Sequence, residues 1–83
     1  MNREQLAELL RYASPYSIMV VTWQDRVMEL RCPFRVQLKN DVGILTKGKI
    51  VEVEMVKLST NLKTVFVIKG DAYYYYHFNI LID

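Results

Sequence analysis

Residues 64–78 read TVFVIKGDAYYYYHF and form the most informative stretch of this chain. Two apolar or aromatic segments flank Gly70-Asp71, a pair typical of a tight turn. The stretch therefore predicts a β-hairpin in which residues 64–69 pair with residues 72–77. Because successive side chains of a strand point to opposite faces, four consecutive tyrosines supply rings to both faces of the second strand.

The pairing across this turn predicts which ring lies on which face. A two-residue loop at Gly70-Asp71 places Phe66 opposite Tyr75 and Val65 opposite Tyr76, and opposed residues share a face. The two faces then carry Val65, Val67, Tyr74 and Tyr76 on one side, and Phe66, Ile68, Tyr73 and Tyr75 on the other. Only one of these faces is needed to line a core. The other is a second apolar face, which the N-terminal helix and the strand of residues 18–23, or another subunit, must cover.

The N-terminal segment, residues 2–13, has a helical period. Its apolar residues Leu6, Leu9, Leu10 and Ala13 recur at i, i+3, i+4 and i+7. Ser14-Pro15 ends the segment, since proline disfavours the helical conformation of the residue before it. We therefore predict an amphipathic helix of about three turns, too short to be stable without docking on the rest of the chain.

The middle of the chain reads as strands. Residues 17–23 are apolar on both parities, as in a strand that is covered on both faces. The apolar residues of segment 28–39 alternate with polar ones and predict one buried stripe: Met28, Leu30, Cys32, Phe34, Val36 and Leu38. Pro33 interrupts this alternation and predicts a bend or an edge position. Further strands are expected at residues 51–55 and 64–69, with a loop at residues 59–61.

From Phe34 onward, the order of these elements resembles the SH3-like small barrel. That fold runs strand, long loop, strand, short loop, strand, tight hairpin, strand, one 3₁₀ turn and a final strand. Residues 47–53, KGKIVEV, are similar to the lysine-glycine-acidic-hydrophobic motif that opens the second strand of many SH3 domains, with Lys49 in the acidic position. The resemblance implies a 3₁₀ turn at residues 78–81. It also implies that Val65, Val67, Tyr74 and Tyr76 line the interior of the barrel. The tryptophan and proline of the family's polyproline groove are missing, since residues 64–66 and His77 stand there, so polyproline binding is not implied.

These patterns together predict a single, mainly β (α+β) domain. We expect an N-terminal helix in residues 1–15, additional strands in residues 16–33 and an SH3-like barrel in residues 34–83. The whole contains five to six antiparallel strands. The chain of 83 residues with 52% hydrophobic residues is sufficient for one core.

Composition narrows the expected environment. Cys32 is the only cysteine, which favours a reducing, cytoplasmic location. No apolar run approaches the roughly 18–20 residues of a spanning helix, and residues 1–5 do not resemble a secretion signal, so no membrane association is expected. The net charge of +2 is too small to indicate a nucleic-acid-binding protein by itself.

The residues able to carry catalysis are few. His77 is the only histidine, Cys32 falls in the predicted buried stripe, and together they lack the ligand number and spacing of a metal site. Glu52 and Glu54 share one strand face, where alternating charges usually form a solvated surface. We therefore predict no enzymatic activity, no metal and no cofactor.

The surplus of aromatic side chains points to binding. Tyrosine is enriched at protein interfaces, so we expect a protein-interaction or self-associating domain. The candidate interaction surface comprises Tyr73, Tyr75, Lys47, Lys49 and Lys69. The alternative is a small barrel that binds single-stranded nucleic acid through these lysines and outward tyrosines. An edge strand next to Pro33 is a further route to a partner strand or a second copy.

Overall fold

A computed structural model describes residues 6–82 of the chain. Those residues form nine β-strands and one 3₁₀ turn. The elements are β1 (Leu6–Ser14), β2 (Ser17–Thr22), β3 (Val27–Arg31), β4 (Phe34–Leu38), β5 (Ile50–Val53), β6 (Met55–Leu58), β7 (Thr64–Ile68), β8 (Asp71–Tyr74), the 3₁₀ turn Tyr75–His77 and β9 (Phe78–Leu81). The prediction of a mainly β fold is confirmed, with more strands than expected.

The strands form two antiparallel sheets. One sheet has six strands in the order β3-β2-β1-β9-β4-β5, and the other has three in the order β6-β7-β8. β5 and β6 follow one another directly, and the Glu54 N–H between them donates to the Val67 carbonyl at 2.8 Å. The chain therefore passes from one sheet to the other at Glu54. A second connection joins the sheets: the Val56 N–H of β6 donates to the carbonyl of Pro15, which directly follows β1, at 2.7 Å.

The core lies between the two sheets and draws on nearly every strand. Its fully buried side chains are Phe66, Ile18, Val20, Val36, Val53 and Val56. The predicted stripe of segment 28–39 divides into two parts, because β3 ends at Arg31 and β4 begins at Phe34. Phe34, Val36 and Leu38 are buried, whereas Met28 is 39% exposed. The bend predicted at Pro33 is confirmed.

The predicted N-terminal helix is wrong for the described part of segment 1–15. Residues 6–14 form β1, which pairs with β2 and, through Ala7 and Ile80, with β9. The pairing register shifts between Leu9 and Arg11 and again between Tyr12 and Ser14. Each shift leaves one extra residue in β1, first Leu10 and then Ala13, and interrupts the two-residue alternation, so the period of a strand is hidden in the sequence. Residues 1–5 lie outside the described part.

The side-chain environments of β1 also contradict the helical interpretation. Leu9 and Tyr12 pack against the core, while Leu10 is 52% exposed. The helical interpretation placed Leu9 and Leu10 on one buried face. A short helix gains little without tertiary packing, whereas as a strand this segment pairs with β2 along most of its length. Tertiary hydrogen bonding therefore overrides the local period.

The hairpin of β7 and β8 turns one residue earlier than predicted. Its loop is Lys69-Gly70, with φ values of 52° and 84°, and Ile68 faces Asp71. Two consecutive positive φ angles are characteristic of the type I′ turn that matches the twist of hairpin strands. Val65 therefore pairs with Tyr74 and Phe66 with Tyr73. The predicted pairs were displaced by two residues, which leaves the grouping into faces intact.

The assignment of the inner face was the wrong way round. Phe66 and Ile68 are 0% and 2% exposed, and Tyr73 and Tyr75 pack against the core on their side. Tyr74 and Tyr76, predicted as interior rings, are 38% and 47% exposed. Val67 is also buried, so apolarity of the residues in β7 does not by itself distinguish the faces.

The final 3₁₀ turn also lies earlier than residues 78–81. It spans Tyr75–His77, and residues 78–81 form β9, which pairs with both β1 and β4. The buried side chains of Phe78 and Ile80 alternate with the half-buried Asn79, as expected of a strand inside a sheet. The tyrosine run is therefore divided between a strand and a turn.

The turn at Lys69-Gly70 supports a stability prediction. Lys69 adopts a positive φ that costs a lysine about 1 kcal/mol and that asparagine tolerates better. We expect Lys69→Asn to raise the free energy of unfolding by up to about 1 kcal/mol in urea titrations. The matched control is Lys57→Asn on the exposed side of β6, which should bring no gain. A loss of stability in Lys69→Asn would instead place residue 69 inside the strand.

Candidate functional site

The aromatic side chains at the end of β8, two exposed and two half-buried, form the most distinctive surface of the described chain. We call Tyr74, Tyr75, Tyr76 and His77 the tyrosine surface. The rings of Tyr74 and Tyr76 stack with centroids 5.4 Å apart and planes 12° apart. Tyr75 packs edge-on against Tyr76 at 5.8 Å, and the His77 ring lies 4.7 Å from Tyr76. The two exposed rings therefore contact each other, and Tyr76 also contacts the rings of Tyr75 and His77.

The 3₁₀ turn explains why the exposed rings come together. In a strand, residues 74 and 76 share a face but stand side by side along it. Here the strand ends at Tyr74, which has φ −64° and ψ 142°, and the chain then enters the turn. Tyr75 is directed against the core, and Tyr76 comes to lie over Tyr74. The backbone thus presents a stacked pair at a fixed place.

The turn is attached to the long loop between β4 and β5. The Lys39 N–H donates to the His77 carbonyl at 2.8 Å. The amide nitrogen of the Asn40 side chain lies 3.2 Å from Nδ1 of His77, within hydrogen-bond distance. Gly43 of the same loop lies close to the ring of Tyr73, since a Cβ at this glycine would be 3.5 Å from that ring. These contacts fix the position of the 3₁₀ turn relative to the long loop.

Cationic side chains border the tyrosine surface. One groove beside Tyr75 is lined by Arg11 and Lys63, among others, and a second groove, shared by Tyr75 and Tyr76, is lined by Lys39 and Glu8. Lys63 Nζ lies 6.0 Å from the centroid of the Tyr74 ring, within cation–π range. Three cations against one carboxylate give this part of the surface a net positive charge.

The structure distributes the predicted site residues over separate places. Tyr73 and Tyr75 are half-buried and serve mainly as packing groups. Lys47 is exposed on the long loop, where its N–H donates to the Asp41 carboxylate at 2.8 Å. Lys49 and Lys69 line one groove together, but Glu52 and Glu54 line it as well. That groove is therefore mixed in charge.

Sequence reasoning missed the residues that make the tyrosine surface accessible. Tyr74 and Tyr76 were assigned to the interior, and Arg11 and Lys39 were not connected with the tyrosines. The Lys69-Gly70 loop would have corrected the pairing by two residues, but this shift leaves the faces unchanged, so it carries no signal for which tyrosines are exposed. The convergence of Arg11 with Tyr75 carried no local signal, because it depends on a strand more than fifty residues away along the chain.

Cys32 lies at the corner between β3 and β4 and packs partly against the core. Burial raises the pKa of its thiol, because removal from water penalises the thiolate. The thiolate is the nucleophilic form, so the environment of Cys32 lowers its reactivity at neutral pH.

Comparisons with known proteins identified no relative of this chain. No protein-family model, curated protein or solved structure matches the chain. Within residues 6–82, no group of three or more His, Cys, Asp or Glu side chains is placed to hold a metal ion. No helix in that same part of the chain is long and apolar enough to cross a membrane.

Proposed function

We propose that this chain is a non-enzymatic protein-interaction domain that binds a partner through the tyrosine surface. The observation that carries the proposal is the stacked, exposed pair Tyr74 and Tyr76. Tyrosine offers a large, stiff contact area with a polar end, which is why it dominates many interfaces. Rings already ordered by stacking lose little conformational freedom on binding, so less of the contact energy is spent on ordering them.

The fold proposed for residues 34–83 is an SH3-like barrel. Its support is the order β4, long loop, β5 and β6, β7, tight hairpin, β8, 3₁₀ turn and β9, together with the antiparallel pairing of β9 with β4. Strands β1 to β3 extend the sheet beyond β9. In this arrangement the tyrosine surface falls at the 3₁₀ turn, next to the long loop.

The charges near the rings indicate the chemistry of the partner. Arg11, Lys39 and Lys63 border the tyrosine surface, and Glu8 is the carboxylate among them. We propose that the partner is a protein segment that combines acidic residues with apolar or aromatic ones. Acidic groups would face the cations, and the apolar residues would cover the tyrosine edges.

The non-enzymatic part of the proposal rests on the two side chains best suited to catalysis. His77 is held by Asn40 in a structural contact with the long loop. The Cys32 thiol has a raised pKa and is therefore a poor nucleophile at neutral pH.

The second candidate function is binding of single-stranded nucleic acid. The observation in its favour is Lys63 next to the exposed Tyr74 ring, since such proteins combine cations with stacking aromatics. The ring arrangement argues for the protein partner, because Tyr74 and Tyr76 already turn one face toward each other. His77 also lies against Tyr76. A base has less open ring surface to stack on than an isolated tyrosine would offer.

The test is a selection of displayed random peptides on the immobilised protein, followed by affinity measurement of the enriched peptides. We expect enrichment of Asp and Glu together with apolar residues. The variant Tyr74→Ala/Tyr76→Ala should weaken binding by about 30-fold or more, the loss expected for hot-spot residues. The matched control is Tyr16→Ala, an exposed tyrosine of the β1–β2 turn, which should bind as the unmodified chain does.

The same proteins are titrated with a labelled single-stranded oligonucleotide of mixed sequence. Peptides that bind equally well to the double variant, or the absence of enriched peptides, would overturn the proposal. Oligonucleotide binding that falls steeply with salt and is lost in the double variant would overturn it in favour of the second candidate.

A further inference from the structure

The edge of the six-stranded sheet at β3 is open. β3 pairs with β2 on one side and is the last strand in the sheet order on the other. Four of its five residues are exposed, and Leu30 is half-buried. Val27 is 57% exposed and Trp23, just before it, is 51% exposed. Exposed edge strands with apolar residues are templates for pairing with another strand.

The pairing of β3 with β2 determines which of its backbone groups are free to pair. The Cys32 N–H donates to the Tyr16 carbonyl at 2.9 Å, and the Thr22 N–H donates to the Arg26 carbonyl at 2.8 Å. In an antiparallel pair these hydrogen-bonded positions alternate with outward-facing ones. The even-numbered residues of β3 therefore bond to β2. The N–H and carbonyl groups of Val27, Glu29 and Arg31 point away from the sheet.

We propose that β3 pairs with β3 of a second copy of this chain, antiparallel, about a twofold axis at Leu30. This pairing uses a surface other than the tyrosine surface, so it stands or falls independently of the proposed partner binding. In this register the outward N–H and carbonyl groups of Glu29 form hydrogen bonds with those of Arg31 in the second copy. The Arg31 groups of the first copy pair in the same way with Glu29 of the second. Two hydrogen-bonded residue pairs result, and between them Leu30 lies opposite Leu30 of the second copy.

The charges of the strand favour this register. Glu29 and Arg31 lie on one face, with Arg31 Nε 3.5 Å from Glu29 Oε1. With the axis at Leu30, each Glu29 also faces an Arg31 across the junction. With the axis at Glu29, three residue pairs could form hydrogen bonds rather than two, but Glu29 would lie opposite Glu29 of the second copy. Directly opposed like charges destabilise a sheet, whereas the register centred on Leu30 sets every carboxylate between two guanidinium groups.

The apolar side chains agree with the same register. Leu30 pairs with Ile18 and Met28 pairs with Val20, and both partners on β2 are fully buried. Leu30 facing its own copy thus continues the apolar side of the sheet across the junction. Met28, which is 39% exposed, faces Cys32 of the second copy. The isologous pair therefore covers apolar surface that a single chain leaves open.

The first experiment measures solution mass against concentration by sedimentation or light scattering. We expect the mass to rise from 9.8 kDa toward twice that value as concentration increases. Glu29→Arg should weaken association at least tenfold, because it creates a like-charge pair twice at the junction. The charge-swapped variant Glu29→Arg/Arg31→Glu should restore it. Circular dichroism of each variant verifies that these exposed side chains leave the fold unchanged.

A second experiment reads the register directly. In a Cys32→Ser background, Leu30→Cys should form a disulfide-linked dimer under mild oxidation, since opposed residues of a non-hydrogen-bonded pair bring their Cβ atoms close enough for a disulfide. Glu29→Cys in the same background is the matched control and should remain largely monomeric on a non-reducing gel. A chain that stays monomeric at all concentrations would overturn the proposal. Cross-linking through position 29 in place of 30, or failure of the charge swap to restore association, would do the same.

Discussion

Phe66→Ala is expected to lower the free energy of unfolding by about 3–5 kcal/mol, the usual cost of removing a large buried ring. The Phe66 side chain is fully buried. Its ring packs edge-on against Phe34, with centroids 5.4 Å apart, and is tilted against Phe78 at 5.8 Å. Phe66 belongs to the three-stranded sheet and its two partners to the six-stranded one. The cavity would therefore open between the sheets, where paired strands have little freedom to move inward.

Such a loss is large for this chain, because domains of this size are stable by only about 5–15 kcal/mol in total. Urea unfolding followed by circular dichroism measures it, with Tyr76→Ala as the matched control. The Tyr76 side chain is 47% exposed, so its truncation should cost about 1 kcal/mol or less. A larger cost for Tyr76→Ala than for Phe66→Ala would contradict the arrangement in which residues 66 and 68 face the core.

Val20→Asp is expected to cost more than about 4 kcal/mol at neutral pH, the range reached when an unpaired charge is buried. The Val20 side chain is fully buried in β2, between Leu9 of β1 and Met28 of β3. The buried carboxyl would have a raised pKa in the folded chain. The unfolded chain therefore loses the proton first, and the cost should grow as the pH rises above about 3.9, the ordinary value for aspartate.

The control for Val20→Asp is Ile44→Asp. The Ile44 side chain is 82% exposed on the long loop, so the same change there should shift stability by about 0.5 kcal/mol or less. A cost that does not increase between about pH 4 and pH 7 would contradict the burial of residue 20.

Val20→Asp also tests whether the first three strands and the rest of the chain unfold together. Trp23 is the only tryptophan and directly follows β2, so its fluorescence reports on the first three strands, while circular dichroism reports on the whole chain. We expect both signals to show one transition at the same urea concentration. If Val20→Asp abolished the fluorescence transition but left a transition in circular dichroism, residues 34–81 would be a separate unit.

The parts of the fold that were predicted correctly depend on local chemistry. Residues 34–38 alternate strictly, and Phe34, Val36 and Leu38 are buried as that pattern requires. Pro33 and the polar residues 59–61 end strands in the expected places. Strand period and turn chemistry act over a few residues, so they can be read without knowing which strands are neighbours.

The candidate site was only partly predictable for the same physical reason. The tyrosine run signals an aromatic surface, and its division into two faces survives in the structure. Which face is buried depends on the opposite sheet, where Phe34 and Phe78 receive Phe66. The cations near the rings come from β1, the long loop and the β6–β7 connection, and no local pattern links these segments to Tyr75.

Local patterns of the sequence were enough to predict a mainly β chain, most strand positions, the bend at Pro33 and the presence of the tyrosine hairpin. The packing of distant segments determines that residues 6–14 form a strand, because their hydrogen-bonding partners lie in β2 and β9. The same packing ends the strand of the tyrosine run at Tyr74 and leaves Tyr74 and Tyr76 exposed. Hydrogen bonds and packing between segments distant in the chain outweigh the weak local preferences there.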